Sequence, residues 1–95
     1  MVAKILLFTD PSRCMPCRMM DNALFSAKFD VSITTIQTGA SITPENKEKA
    51  NKYNIRNIPQ LVFVDSEDNE LSRLSGFSPT IVQNIKNKIK EFNGK

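Results

Sequence analysis

The sequence predicts an α/β fold: a four-stranded mixed sheet with three helices, in the order β-α-β-α-β-β-α. Three observations carry this reading. Short, β-rich apolar runs alternate with segments whose apolar residues recur at helical spacing. A polar turn, Asp65 to Asn69, separates two strand-like runs by the length of a hairpin loop. The 95 residues form one domain, residues 1–95, with no repeat, low-complexity tract or linker.

Each element has its own signal. Lys4 to Thr9 is an apolar run of the kind that forms a buried strand. Residues 15–28 place Met19, Met20, Ala23, Leu24 and Ala27 on one helix face. Val31 to Gln37 is β-branched, with Val31, Ile33 and Thr35 alternating against Ser32, Thr34 and Ile36, and Thr38 to Ser41 forms a loop. Thr43-Pro44 opens a second helix, Thr43 as N-cap and Pro44 at the first helical position, running to about Tyr53. Gln60 to Val64 and Glu70 to Leu74 are the two hairpin strands. Ser78-Pro79 opens the last helix, whose apolar stripe is Ile81, Val82, Ile85, Ile89 and Phe92. A βαβ start calls for a right-handed crossover and a parallel pair, the hairpin adds antiparallel strands, and helices then cover both faces.

Composition excludes several function classes. The net charge is +3, and the excess gathers near the C-terminus at Arg73, Lys86, Lys88, Lys90 and Lys95. The one aromatic among these lysines, Phe92, belongs to the apolar stripe of the last helix, so the patch reads as a solvated helix face and no nucleic-acid partner is expected. The N-terminal apolar run, Ile5 to Phe8, is too short for a signal peptide or for the ~20 residues of a membrane span, so the expected compartment is cytoplasmic and no membrane partner is expected. Two cysteines and no histidine cannot complete a four-ligand zinc site, nor supply a Cys–His nucleophile, so no metal or other cofactor is expected.

The chemistry-bearing motif is Cys14-Met15-Pro16-Cys17, directly after the first strand and its loop and opening the first helix. Residues i and i+3 on a helical turn lie roughly 5–6 Å apart, which matches the Cα separation of a disulfide. A helix N-terminus has unpaired N–H groups and a favourable dipole, and thiols placed there ionise at roughly pH 3.5–7.5. Pro16 costs little in a first turn, where N–H groups lack partners anyway. Arg13 and Arg18 bracket the motif, with no acid between Asp10 and Asp21, and both favour a thiolate at Cys14. The bland alternatives for such a pair are half a zinc site or two core cysteines. The strand–loop–helix setting favours redox chemistry, with Cys14 as nucleophile and Cys17 as resolving thiol.

A second constellation is Tyr53-Asn54-Ile55-Arg56-Asn57-Ile58-Pro59-Gln60-Leu61. It resembles the Ile-Arg-x-Ile-Pro-Thr-Leu-like segment through which thioredoxins enter their third strand. Together with the Cys-x-x-Cys motif, it makes the chain similar to the thioredoxin/glutaredoxin family from Ile5 to about Phe92, at the size of the compact, glutaredoxin-like members and without the extra N-terminal strand and helix of full-length thioredoxins. The resemblance implies a thioredoxin-like fold and a cis bond at Pro59 facing the cysteines. It also implies an Ile58 backbone free to pair with an extended substrate, and Gly76 near the same groove, with Met15 and Pro16 completing the substrate surface. Without the resemblance, Pro59 is a proline that begins an edge strand and Gly76 a turn residue.

The implied activity is protein-disulfide reduction by a monomer, on disulfide-containing protein substrates, recharged by a thioredoxin reductase or by glutathione. Two alternatives stand beside it. A glutathione-dependent glutaredoxin would carry a Gly-Gly pair and then an acidic residue after the fourth strand, where this chain has Ser75-Gly76-Phe77-Ser78-Pro79. A non-catalytic docking module would need no second cysteine. Departures from the thioredoxin pattern are Arg13 for Trp, Met15 for Gly, Gln60 for Thr, Asn54 and Asn57 where Gly is common, and Phe8 where thioredoxins bury an aspartate six residues before the first cysteine. The second strand also lacks the lysine that often partners that aspartate. Asp10 is nearby in sequence and reads as the organiser of the Asp10-Pro11-Ser12 turn.

Overall fold

The computed structural model of the chain describes residues 1–94; Lys95, the last member of the C-terminal basic group, lies outside the described residues. Seven elements follow in the expected order: β1 (Lys4–Thr9), α1 (Met15–Phe25), β2 (Ser32–Gln37), α2 (Pro44–Lys52), β3 (Gln60–Val64), β4 (Glu70–Ser75) and α3 (Ile81–Asn93). The strands form one sheet in the order β2-β1-β3-β4. β1 pairs parallel with β2 and antiparallel with β3, and β3 pairs antiparallel with β4, which is the mixed sheet expected.

Alternation along the strands divides the core between two faces. Ile5 and Leu7 of β1 and Leu61 and Phe63 of β3 pack with Met20 of α1 and Ile81, Ile85 and Ile89 of α3. On the opposite face Leu6, Phe8, Val62 and Val64 pack with Ile36 and with Tyr53 at the end of α2. Both faces of β1 and β3 are covered, so these inner strands read as continuous apolar runs instead of alternating ones. Each large side chain taken out of water contributes about 1.5–3 kcal/mol, before the entropy of ordering is subtracted.

Local boundaries follow local chemistry. Thr43 caps α2 as expected, its Oγ1 accepting the Asn46 N–H at 3.1 Å. α1 stops at Phe25, three residues short of the expected end, with Ser26 as C-cap. Ala27 therefore lies outside the helix, and Val31 lies outside β2. Met19, expected on the buried face of α1, is 46% exposed: it falls at the margin of the stripe that Met20, Ala23 and Leu24 occupy. α3 begins at Ile81, after Ser78-Pro79, because a turn closed by Ile81 N–H on Ser78 O comes first. Arg73, counted at first with the solvated basic residues, is a structural side chain instead. It donates to both Glu70 carboxylate oxygens at 2.8 and 2.7 Å and to Tyr53 O at 2.5 Å. A cation on that carbonyl meets the negative end of α2. No helix among the described residues is long and apolar enough to cross a membrane.

Candidate active site

Pairing brings distant parts of the chain to one end of the sheet. Phe8 stands opposite Gln60, so the end of β1 lies beside the start of β3. Gln60 stands opposite Ser75, which adds the end of β4. The loop carrying Cys14, the segment before β3 carrying Ile58 and Pro59, and Gly76 after β4 all leave the sheet there.

Cys14 and Cys17 are joined as a disulfide, with their Cα atoms 5.1 Å apart. Cys14 is the N-cap of α1: its backbone is extended, and its Sγ accepts the Cys17 N–H at 3.2 Å. A sulfur thus takes the place of the side-chain oxygen that usually satisfies a helix's first N–H groups. After reduction the same N–H favours negative charge on Cys14, since a hydrogen bond to the charged form stabilises it. Cys14 is half-buried, whereas Cys17 is fully buried. Cys17 Sγ accepts the Asp10 N–H at 3.4 Å. The difference in access suits Cys14 for attack from outside and Cys17 for attack on Cys14.

The loop ahead of the helix is tied by Asp10. Its carbonyl accepts the N–H groups of Arg13 and Cys14 at 3.2 and 3.0 Å. Its carboxylate, in a residue only 5% exposed, accepts from Ser12 Oγ at 2.7 Å and from Gln37 Nε2 at 3.2 Å. Gly39 allows this close approach: a β-carbon there would stand 2.2 Å from Asp10 Oδ2. Asp10 therefore organises the turn, as read from the sequence, and also places an N–H on the buried sulfur. Gln37 and Gly39 were not singled out in the sequence; their partner lies 27 or more residues earlier, and no local pattern announces it. Phe8 is buried against Tyr53, ring centroids 6.1 Å apart, so the position where thioredoxins bury an acid is filled here by an aromatic.

The Ile58–Pro59 bond is cis, as the resemblance implied. Ile58 O lies 3.9 Å from Cys14 Sγ, which sets the segment directly against the disulfide. Gly76, at φ 77°, donates its N–H to Pro59 O at 2.8 Å and so borders the same place. Met15 and Pro16 are exposed between the cysteines. Arg13 is exposed as well, whereas Arg18 is bound to the loop, its Nε on Pro11 O at 2.7 Å and its Nη2 on Ser12 O at 3.3 Å. The buried Gln60, in the place of the usual Thr, accepts from Ser75 Oγ and from Arg73 Nη1, tying β3 to β4 at this end.

No protein-family model matches the chain, and no curated protein sequence matches it. Solved structures do resemble it. A thioredoxin from Aeropyrum pernix superposes with a TM-score of 0.72 at 23% identity, over 94% of this chain and 73% of that one. Thioredoxin 1 from Thermosipho africanus superposes with a TM-score of 0.68 at 23% identity, over 97% of this chain and 99% of that one. An oxidoreductase called DsbH gives a TM-score of 0.70 at 22% identity, over 90% of this chain and 71% of that one. At such identities the likeness is one of architecture, and with the strand order and the helix-capping cysteine pair it makes this chain a protein of the thioredoxin fold.

Proposed function

We propose that the chain is a thiol–disulfide oxidoreductase that reduces protein disulfides through a reversible Cys14–Cys17 dithiol. The observation that carries this reading is the placement of Cys14 Sγ: half-buried, hydrogen-bonded by the Cys17 N–H at the start of α1, and 3.9 Å from Ile58 O. Ile58 precedes β3 and takes no part in the ladder, which leaves its backbone to an extended substrate segment. Met15, Pro16, Pro59 and Gly76 are read as the rest of the substrate surface beside that contact. Arg13 and Arg18 add positive charge beside the helix start.

The reaction balances on sulfur alone. In the dithiol form the Cys14 thiolate attacks one sulfur of a substrate disulfide, that bond breaks, and the other substrate sulfur leaves as thiolate. Cys17, having lost its proton, attacks Cys14 Sγ. The mixed disulfide breaks, the second substrate thiolate leaves, and the Cys14–Cys17 disulfide forms. Two electrons have passed from the dithiol to the substrate, and two protons follow onto the substrate thiols. The Asp10 N–H on Cys17 Sγ stabilises charge on that sulfur during resolution.

A thioredoxin-reductase type of donor, a cytoplasmic setting and a monomeric state complete the reading. Glutathione is the competing donor, and the single glycine between Ser75 and Phe77 speaks against it, since a Gly-Gly pair is the expected glutathione clamp. The test is reduction of a protein disulfide with either a thioredoxin reductase and its reductant or glutathione as the electron source. Turnover with the reductase is the expected result. Turnover with glutathione alone would move the chain to the glutaredoxin reading. Absence of turnover with both, in protein whose two thiols titrate, would leave a docking module.

A further inference from the structure

Beside the disulfide lies a groove of about 360 Å³ whose apolar floor is Ile42, Ala50, Ile55 and Ile58. Ile58 belongs both to this groove and to the contact with Cys14, so the two are continuous. Lys47 and Arg56 stand at its rim, both exposed, and no acidic residue lines it. The ion pairs among the described residues are Lys4–Asp68, Arg73–Glu70 and Lys88–Glu91. Neither Lys47 nor Arg56 takes part in one.

From this arrangement we infer that the groove receives an acidic segment of the substrate protein, one carrying Asp or Glu within a few residues of its disulfide cysteine and apolar side chains next to them. The inference rests on the oxidoreductase reading and names the substrate class of that same site. Two unpaired cations flanking an apolar floor raise the local concentration of an anionic segment and lower that of a cationic one. An extended strand lying along Ile58 projects alternate side chains toward the groove, so carboxylates in the substrate reach the rim while its apolar residues meet the floor. Arg13, exposed on the loop before Cys14, adds charge of the same sign.

The test uses three otherwise identical disulfide peptides bearing Glu, Gln or Lys on each side of the cysteine, together with glutathione disulfide, and measures kcat/KM for each. The expected order is Glu over Gln over Lys, with a Glu-to-Lys ratio of roughly three- to tenfold at low salt that shrinks toward unity at high salt. The Lys47→Glu/Arg56→Glu variant is expected to invert the ratio, and Lys47→Gln/Arg56→Gln to bring it most of the way to unity, Arg13 keeping the remainder. Lys86→Glu/Lys90→Glu makes the same change of charge on α3, away from the groove, and is expected to keep the wild-type ratio. Equal rates for the three peptides, a ratio that follows total charge regardless of position, or glutathione disulfide reduced as fast as the Glu peptide would each overturn the assignment while leaving disulfide reduction intact. Failure to reduce every one of these disulfides would instead overturn the oxidoreductase reading and the substrate class with it.

Discussion

Gly39 leaves no room for a side chain beside Asp10. A β-carbon there would lie 2.2 Å from Asp10 Oδ2 and 2.7 Å from its Cγ, on a backbone at φ 97° that side chains rarely adopt. Asp10 cannot swing clear without losing Ser12 and Gln37. Gly39→Ala is therefore expected to destabilise the fold by about 2–3 kcal/mol, read as a lower midpoint in urea denaturation with an unchanged slope. Thr9 offers the opposite case one residue before Asp10. Its Oγ1 is buried and has no hydrogen-bond partner among the described residues. Thr9→Val keeps the shape and removes the stranded hydroxyl, with an expected gain of about 1 kcal/mol by the same measurement. A loss in place of that gain would mean that the hydroxyl is satisfied in solution.

At the scale of elements, the β3–β4 hairpin and the end of α2 are held by polar side chains. Asp65 Oδ1 accepts the N–H groups of Asn69 and Glu67, both at 2.9 Å. The bond from Asn69 is the main reason that the Asp65 carboxyl titrates below the ordinary carboxylate value, which is about 3.9 for Asp. Because its folded value is depressed, its contribution is fully present above about pH 4 and is lost as pH falls through the lower folded value. Asp65→Asn is expected to flatten the acid limb of stability below about pH 4; an unchanged limb would count against this role. Arg73 joins the hairpin to α2 through Glu70, Gln60 and Tyr53 O. Arg73→Met keeps the stem of the side chain and strands those acceptors, with an expected cost of about 1–2 kcal/mol in thermal or chemical denaturation. A cost near zero would show the cluster to be ordinary surface pairing.

Across the whole molecule, periodicity was enough for the element order and the mixed sheet, because each inner strand and each helix must bury an apolar face. Boundaries were less legible: the end of α1 at Phe25 and the start of α3 at Ile81 depend on loops whose chemistry is local and weakly patterned. The cysteine pair and the Ile58–Pro59 segment stood out because both are compact motifs. The grip of Gly39 and Gln37 on Asp10 did not, since it joins separate elements and has no signature along the chain. The structure reconciles both kinds of information at one end of the sheet, where a half-buried Cys14 faces outward and a fully buried Cys17 lies behind it. The most direct measurement is to mix reduced Cys14→Ser and Cys17→Ser variants separately with a disulfide-bonded protein and look for mixed disulfides by mass. Cys17→Ser is expected to accumulate a stable adduct through Cys14, and Cys14→Ser to form none. An adduct through Cys17 in the Cys14→Ser variant, with none in the other, would contradict the assignment of nucleophile and resolving thiol.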